Sequence, residues 1–277
     1  MRKMTVMCAV MFACAAFTHA DDVADARAAA EAYVKSVKSG NLNALYQQLP
    51  ADYRTDLADV VKTFGAKIDA DVWKASMEMI GEAADVAQTK SDLVADLILQ
   101  SKKIPKADAQ ASVKNISAAL KTFSQKVTVK TLQNGNIAGI LADPEIAKLG
   151  PAIVPFFKDE IDGAAITGAK AGENGIVEIL LKNKAGKEDT LKFKKVGQSW
   201  VEADMAKDWK EQMANAKKSI GEMKITDESK QKFLQTVPML KMGMQQLKNA
   251  KNAQELQNSA GMMLLPIMMM NGGGDKE

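Results

Sequence analysis

Hydrophobic residues recur every three to four positions along the first 124 residues, a spacing that predicts amphipathic helices. Residues 22–39 carry one apolar face, and Gly40 is placed to end that helix. Three further stripes run through Leu57, Val60, Val61, Phe64 and Ile68, through Trp73, Met77, Ile80 and Ala84, and through Val113, Ile116, Leu120 and Phe123. Asp71 is the predicted N-cap of the helix that contains Trp73. The pattern predicts a helical first half.

The middle of the chain permits two interpretations. The segment "KVTVKTL" alternates like a strand, yet it also suits an extension of the preceding helix. Asp143 followed by Pro144 is typical of an N-cap and a first helical position, so a short helix is predicted over 144–149.

The hydrophobic period then changes to two, which is typical of strands with one buried face. Four segments show it: "AITGAKA", "IVEILLKN", "EDTLKFKKV" and the short "SWVEA". Gly197-Gln198 suits a two-residue hairpin turn with glycine first. The sequence therefore predicts an antiparallel β-meander within residues 164–203. A row of lysines is expected on its solvated face, namely Lys182, Lys192, Lys194 and Lys195.

The helical period returns at Asp204. Met205, Trp209 and Met213 are spaced by four, and a second stripe runs through Phe233, Val237, Leu240 and Met244. A last helix is expected to end at Pro266 and to be followed by a short apolar strap that folds back on the helical body. The candidate interaction residues of the C-terminal apolar segment, on both sides of Pro266, are Met262, Met263, Ile267 and Met268. The predicted fold class is α+β, predominantly helical, with a small antiparallel sheet in the second half.

The first twenty residues have the features of a secretory signal peptide. Arg2 and Lys3 precede a short apolar run, and a small-residue motif ends at Ala20, just before Asp21. Cys14 as a lipid-modified residue is the weaker alternative, because "MFA" fits a lipobox poorly. Cleavage between Ala20 and Asp21 is predicted, which indicates a periplasmic or secreted bacterial protein without a transmembrane span in its mature chain.

Two segments resemble a known architecture. "AAAEAYVKSVKSGNLNALYQQLP" and "IVEILLKNKAGKEDTLKFKKVGQSWVEA" are similar to the opening helices and the terminal strands of exported bacterial proteins with the nuclear-transport-factor-2-like, or cystatin-like, roll. The resemblance implies a domain over 21–203 with a helical insertion at about 70–160. C-terminal helices over 204–270 would pack on it, and 271–277 would be a flexible tail. That superfamily includes enzymes, binding modules and assembly domains, so the resemblance informs the fold more than the function.

Composition restricts the chemistry of the mature chain. Removing twenty of the 277 residues also removes both cysteines and the only histidine. Catalytic triads, cysteine nucleophiles and His- or Cys-ligated zinc are therefore excluded. The mature chain has 35 basic and 34 acidic residues, and only two of the basic residues are arginines. Nucleic-acid binding is not expected from such a balance.

Carboxylate and tyrosine chemistry remains. The resemblance implies that an Asp base and a Tyr donor can serve enzymes of this roll. The candidate pocket residues are Tyr33, Tyr46, Tyr53, Arg54 and Asp56. The alternative is that Arg54 forms an ion pair and the tyrosines pack against the sheet. The lysine row likewise has two interpretations, an anion site or a solvated sheet face, and the second is favoured.

Methionine is concentrated near the C-terminus. Thirteen methionines remain after cleavage, and eleven of them lie between Met205 and Met270. Met239, Met242 and Met244 have a spacing suited to Cu(I), which thioethers bind well. Burial among leucines, or contact with a membrane interface through 262–270, are the other interpretations, and burial is favoured.

These observations favour a non-catalytic exported module of the bacterial cell envelope that binds an unknown envelope protein or a small ligand. The alternatives are a carboxylate- and tyrosine-dependent enzyme of isomerase or hydrolase type, and a methionine-rich Cu(I)-binding protein. The favoured interpretation includes no cofactor and no metal. A deep pocket with Asp and Tyr at its base would indicate the enzyme, whereas a filled core with shallow grooves would indicate the module.

Overall fold

The computed structural model describes the backbone of residues 2–102, 104–158, 163–182 and 186–271, and the side chains of those among them from 21 to 262. The helices are α1 (Arg2–Ser39), α2 (Leu42–Gln48), α3 (Ala51–Lys67), α4 (Ala70–Thr89), α5 (Ser91–Leu99), α6 (Lys106–Lys126), α7 (Val129–Gln133), α8 (Ile137–Leu141), α9 (Leu149–Ile153), α10 (Ala203–Glu222), α11 (Asp227–Asn249) and α12 (Ala253–Asn271). Two 3₁₀ helices, Ile146–Lys148 and Val154–Phe157, flank α9. The strands are β1 (Ala165–Ala171), β2 (Ile176–Lys182), β3 (Glu188–Val196) and β4 (Ser199–Glu202). The prediction of a predominantly helical α+β fold with an antiparallel sheet in the second half is confirmed.

The chain divides into two compact units. The first unit contains residues 1–56 and 157–214, and the second contains residues 57–156 and 215–277. The first unit therefore holds the sheet, while the second holds α4 to α9, α11 and α12.

The first unit is built from α1 and the four-stranded sheet, whose strand order is β1-β2-β3-β4 with every neighbour antiparallel. Helix α1 packs on the sheet. The core between them consists of Ala26, Ala30, Val177, Ile179, Phe193 and Trp200. Val177 and Ile179 are two residues apart, so both project from the same face of β2. The turn from β3 to β4 has Gly197 at a φ of +60°, which is why glycine stands first in it.

The second unit is a helical assembly in which α4 packs against α6 and α11, and α12 packs against α11 and α5. One of its cores consists of Val86, Met244, Leu247, Ala250 and Leu256, with Ala260 packed against it. Of the predicted α11 stripe, Val237, Leu240 and Met244 are buried, and Phe233 is half-buried.

Several local predictions need correction. The N-cap of α4 is Asp69 rather than Asp71, because Asp69 Oδ1 accepts hydrogen bonds from the backbone N–H groups of Asp71 and Val72. The last helix does not end at Pro266 but continues to Asn271.

The two uncertain segments of the middle are both helical. "KVTVKTL" forms neither a strand nor an extension of α6; α6 ends at Lys126, and Thr128 caps the separate helix α7. Asp143 does accept backbone hydrogen bonds from Glu145 and Ile146, as expected of a cap. The helix that follows is a 3₁₀ turn leading into α9, rather than a single helix over 144–149.

Candidate functional site

Two of the predicted pocket residues lie together in the first unit, beside a tryptophan that sequence reasoning assigned only to an apolar stripe. The Tyr53 ring stacks on the Trp209 ring with centroids 4.1 Å apart. Trp209 Nε1 donates a hydrogen bond to Asp56 Oδ2 at 3.0 Å. Burial, and after it the negative charge of Asp56, raises the pKa of Tyr53 above its usual value of 10.0. The phenol is therefore protonated at neutral pH and poorly suited to act as a base.

Arg54 interacts with the backbone rather than with a carboxylate of the predicted set. Its Nη1 donates to the carbonyl oxygens of Gln47 at 2.7 Å and Leu49 at 3.0 Å. These carbonyls lie at the end of α2, where helical carbonyl groups have no partner within the helix. Arg54 thus closes the C-terminus of α2.

The other two tyrosines do not complete a catalytic group. Tyr33 is 43 % exposed on α1, and Tyr46 is half-buried on α2. Tyr33 lines a small cavity whose lining does not include Tyr46, Tyr53 or Asp56. The predicted set is therefore divided between separate environments.

The small cavity lies between α1, α2 and the strands β3 and β4, and we call it the Trp200 cavity. It has a volume of about 60 Å³. Its lining consists of Tyr33, Leu45, Gln48, Leu49, Leu191, Phe193, Trp200, Val201, Glu202 and Met205. Two buried polar atoms of this lining, Trp200 Nε1 and Gln48 Oε1, have no hydrogen-bond partner among the groups the structure describes. The sequence indicated only that Trp200 lies on a short strand, and it gave no sign of an unpaired N–H group.

A large concave surface lies in the second unit along α4 and the end of α6, and we call it the α4–α6 groove. Its volume is about 740 Å³, within the range of roughly 300–1,000 Å³ typical of ligand sites. Its lining consists of Ala70, Trp73, Lys74, Met77, Glu78, Gly81, Glu82, Asp85, Lys121, Ser124, Gln125, Val127, Thr128, Val129 and Lys130. Fifteen residue steps of α4, from Ala70 to Asp85, correspond to about 22 Å of helix.

The floor of the groove is apolar, and Trp73 of α4 is hydrogen-bonded across it to Val127. Trp73 Nε1 donates to the carbonyl oxygen of Val127 at 2.8 Å, and its ring meets Phe64 edge to face at 5.9 Å. Met77 and Val127 are buried. At Gly81 the helices approach closely, because an added Cβ would lie 3.0 Å from Ser124 Oγ. The sequence predicted only that Trp73 and Met77 lie on one apolar face of a helix, so periodicity alone did not reveal the groove.

The charged residues of the groove are balanced in sign. Three are acidic (Glu78, Glu82 and Asp85) and three are basic (Lys74, Lys121 and Lys130). Lys121 Nζ lies 2.7 Å from Asp85 Oδ1. Outside the lining, Lys241 Nζ lies 2.9 Å from Glu78 Oε2 and 3.7 Å from Glu82 Oε1. The second carboxylate oxygen of Glu82 is buried and lacks a hydrogen-bond partner in the described part of the chain.

The predicted lysine row is only partly correct. Lys192 stands opposite Glu178, and Lys182 opposite Glu188, so two of its lysines alternate with acids across the sheet. Lys195 belongs to the other face, where its Nζ lies 2.8 Å from Asp22 Oδ1 and 5.6 Å from the centroid of the Trp200 ring. The mixed charges agree with a solvated face.

The methionines proposed for copper do not converge. Met239 and Met242 are 52 % and 67 % exposed, whereas Met244 is 5 % exposed within a core. Among the described residues, no group of three or more His, Cys, Asp or Glu side chains could hold a metal ion. Of the predicted strap, Met262 is 55 % exposed, and the side chains of Met263, Ile267 and Met268 lie outside the described residues.

Comparison of the chain with protein-family models, with curated proteins and with solved structures finds no match. None of the helices that the structure describes is long and apolar enough to cross a membrane. The functional argument therefore rests on the two concave sites.

Proposed function

We propose that the protein is a non-catalytic, exported module of the bacterial cell envelope that binds an extended or helical segment of a partner protein in the α4–α6 groove. The observation that carries this proposal is the groove itself, which is about 740 Å³ in volume and runs for some 22 Å along α4. An elongated apolar groove is the usual receptor for a peptide segment. The packing of α1 on an antiparallel sheet adds nothing on function.

The chemistry of the groove favours a peptide over other ligands. Trp73 and Met77 provide aromatic and thioether contacts of the kind enriched at protein interfaces. Three acidic and three basic side chains leave no net charge, which disfavours an anionic lipid surface or nucleic acid.

The distribution of the predicted catalytic residues supports the non-catalytic part of the proposal. Arg54 is occupied by backbone carbonyls, and Tyr53 is stacked on Trp209 with a raised pKa. The small cavity that Tyr33 lines contains none of the other predicted pocket residues. A base and a donor must lie within hydrogen-bond reach of one substrate atom, and the predicted set is instead divided between separate environments.

The proposal is tested by filling the groove from an exposed position. Gln125 lies on α6, lines the groove and is exposed, so Gln125→Trp adds a large ring there without removing a core contact. Asn115→Trp is the matched control, because Asn115 is also exposed on α6 but does not line the groove. Each tagged variant is used to purify interacting proteins from the envelope fraction.

We expect one stoichiometric partner with the unmodified protein and with Asn115→Trp, and its loss with Gln125→Trp. Retention of the partner by Gln125→Trp at the unmodified level would contradict the groove as the binding surface. Circular dichroism of both variants must show unchanged helicity, since a misfolded protein would lose the partner for another reason.

A further inference from the structure

Three methionines of the second unit are exposed to solvent although methionine is an apolar residue. Met239 and Met242 on α11 are 52 % and 67 % exposed, and Met262 on α12 is 55 % exposed. Among the large hydrophobic side chains that the structure describes, these three are the most exposed. Burial therefore does not account for them, and neither does the α4–α6 groove, whose lining contains none of them.

Helix α11 divides the closely spaced methionines that suggested copper into two environments. Met239 and Met242 are three residues apart, so they lie on the same side of the helix. Met244 follows Met242 by two residues, which corresponds to about 200° around the helix axis. It is 5 % exposed and belongs to a core with Leu247 and Leu256. Two neighbouring methionines of one helix thus differ in how far solvent reaches them.

Helix formation does not require an apolar side chain at the exposed positions. Methionine, glutamine and lysine favour a helix to a similar degree. An exposed side chain also buries little of the apolar area that stabilises a fold. What distinguishes methionine from glutamine at such a position is the chemistry of its sulfur.

The thioether of an accessible methionine is oxidised by peroxides and hypohalous acids. The sulfur gives up two electrons and gains one oxygen atom, so that methionine and hydrogen peroxide become methionine sulfoxide and water. Methionine sulfoxide reductases reverse the step, and a dithiol that is oxidised to a disulfide supplies the two electrons. The sulfoxide is polar, so it disrupts a core but is compatible with a solvated surface.

We infer that Met239, Met242 and Met262 are sites at which the folded protein is reversibly oxidised to methionine sulfoxide by peroxides or hypohalous acids. Met244 and Met77, which are 5 % and 7 % exposed, stay reduced under the same conditions. The protein thereby consumes oxidant on the surface of its second unit and keeps its core. The inference does not depend on the proposed function, because the three sites lie outside the groove lining.

A single tryptic peptide contains the matched comparison. Trypsin cleaves after Lys241 and after Lys248, so the peptide of residues 242–248 carries both Met242 and Met244. The folded protein is treated with hydrogen peroxide, and samples are quenched with catalase at successive times. Fragment-ion mass spectrometry then assigns the added oxygen to one methionine or the other. Protein unfolded in urea before the treatment is the control.

We expect Met242 of the folded protein to be oxidised at least about tenfold faster than Met244, because a buried thioether reacts only when its surroundings open. Met239 and Met262 should react at rates similar to that of Met242. In urea the difference between Met242 and Met244 should vanish. Equal rates at these two positions in the folded protein would overturn the inference.

Tolerance of the fold is tested with glutamine, which places a polar group at the site of the sulfur. The double variant Met239→Gln/Met242→Gln should melt within about 2 °C of the unmodified protein, as surface substitutions usually do. Met244→Gln is the matched control, and it should lower the melting temperature much further or prevent folding, because it buries an amide in a core. A loss of stability in the double variant as large as that in Met244→Gln would contradict the inference.

Reversibility is tested on the oxidised protein without denaturant. Methionine sulfoxide reductases for both sulfoxide epimers, with dithiothreitol as the reductant, should remove the added oxygen from the peptide of residues 242–248. If the reductases act only after the protein has been unfolded in urea, the exposed methionines are not reversible sites and the inference is wrong.

Discussion

At the residue scale, Trp209 connects two residues that the sequence suggested as parts of a catalytic pocket. Its ring stacks on Tyr53, and its N–H group donates to Asp56. Trp209 is buried, and its hydrogen bond to Asp56 is partly buried. These residues join the start of α3 to α10 within the first unit, and their role is structural.

Replacing Trp209 by Phe separates the two contacts. Phe retains an aromatic ring against Tyr53 but removes the donor to Asp56. We expect the free energy of unfolding to fall by about 1–3 kcal/mol, the usual contribution of a hydrogen bond to a charged group. Urea denaturation followed by circular dichroism measures it, and an unchanged midpoint would show that the bond to Asp56 contributes nothing.

Asp69 is a second residue whose charge we expect to affect the stability of the fold. The hydrogen bond from Lys230, and after it the backbone N–H of Val72, lower the pKa of the Asp69 carboxyl. Hydrogen bonds to Asp71 and Asp69 raise the pKa of Lys230 to about 12. The carboxylate thus serves at once as the N-cap of α4 and as the partner of a lysine on α11.

Asp69→Asn keeps the cap, because asparagine also accepts backbone hydrogen bonds, but it removes the charge. A lowered folded-state pKa contributes stability that is present above the unfolded value of about 3.9 and is lost as the pH falls through the folded value. We therefore expect Asp69→Asn to be less stable than the unmodified protein at pH 7. The difference in the free energy of unfolding between the two proteins should become smaller below about pH 4.

Chemical denaturation at several pH values provides the measurement. Lys230→Met is the control background, in which the same substitution should produce a smaller difference at neutral pH. If the difference in the free energy of unfolding between Asp69→Asn and the unmodified protein stays constant down to pH 2, the assigned role of the charge is contradicted.

At the scale of elements, the last helix, α12, has a buried part and an exposed part. Leu256 is 5 % exposed and lies in a core with Val86 and Met244, whereas Met262 is 55 % exposed on the same helix. The first turns of α12 are therefore part of the core of the second unit. For Met262 the prediction of burial is wrong.

Leu256→Ala should destabilise the protein by about 2–5 kcal/mol, as large-to-small substitutions in cores do. Met262→Ala is the matched control on the same helix and should change the stability by less than about 0.5 kcal/mol, as surface substitutions usually do. Thermal and urea unfolding compare the two. Equal effects of both substitutions would contradict the separation of a buried and an exposed part of α12.

Elements with a strong local pattern were predictable from the sequence. The recurrence of Val177 and Ile179 at every second position, with Glu178 between them, predicts β2, and the glycine at 197 predicts the last hairpin. Burial of one face and a positive φ leave few alternatives at these positions. The prediction that the last helix ends at Pro266 was wrong, because a proline removes one helical hydrogen bond without always ending the helix.

The sites were less predictable than the elements. Trp73 and Trp200 have the spacing of core residues, and only the packed structure reveals that one lines a groove and the other has an unpaired N–H group. A hydrophobic period reports which face is apolar. It does not report whether a neighbouring element covers that face completely.

At the scale of the whole molecule, export remains a prediction from the sequence. Cleavage between Ala20 and Asp21 would leave the buried Ala26 and Ala30 within the mature chain, as well as the ion pair of Asp22 with Lys195. It would also place two aspartates at the start of α1, where negative charge is favourable. The core of the first unit is thus compatible with removal of the first twenty residues.

N-terminal sequencing of the protein from its native compartment checks this prediction. We expect the mature chain to begin at Asp21 and to continue with Asp22 and Val23. A chain that begins with a lipid-modified Cys14, or one that retains Met1, would refute it.

The central claim is that the α4–α6 groove holds a segment of a partner protein, and site-specific photo-cross-linking in intact cells tests it most directly. A photoreactive amino acid is introduced at Gln125 in the groove and, in a separate strain, at Asn115 outside it. The account predicts one discrete adduct from position 125, mapped by mass spectrometry to a single segment of one protein, and none from position 115. Adducts of equal yield from both positions, or no adduct from position 125, would contradict it.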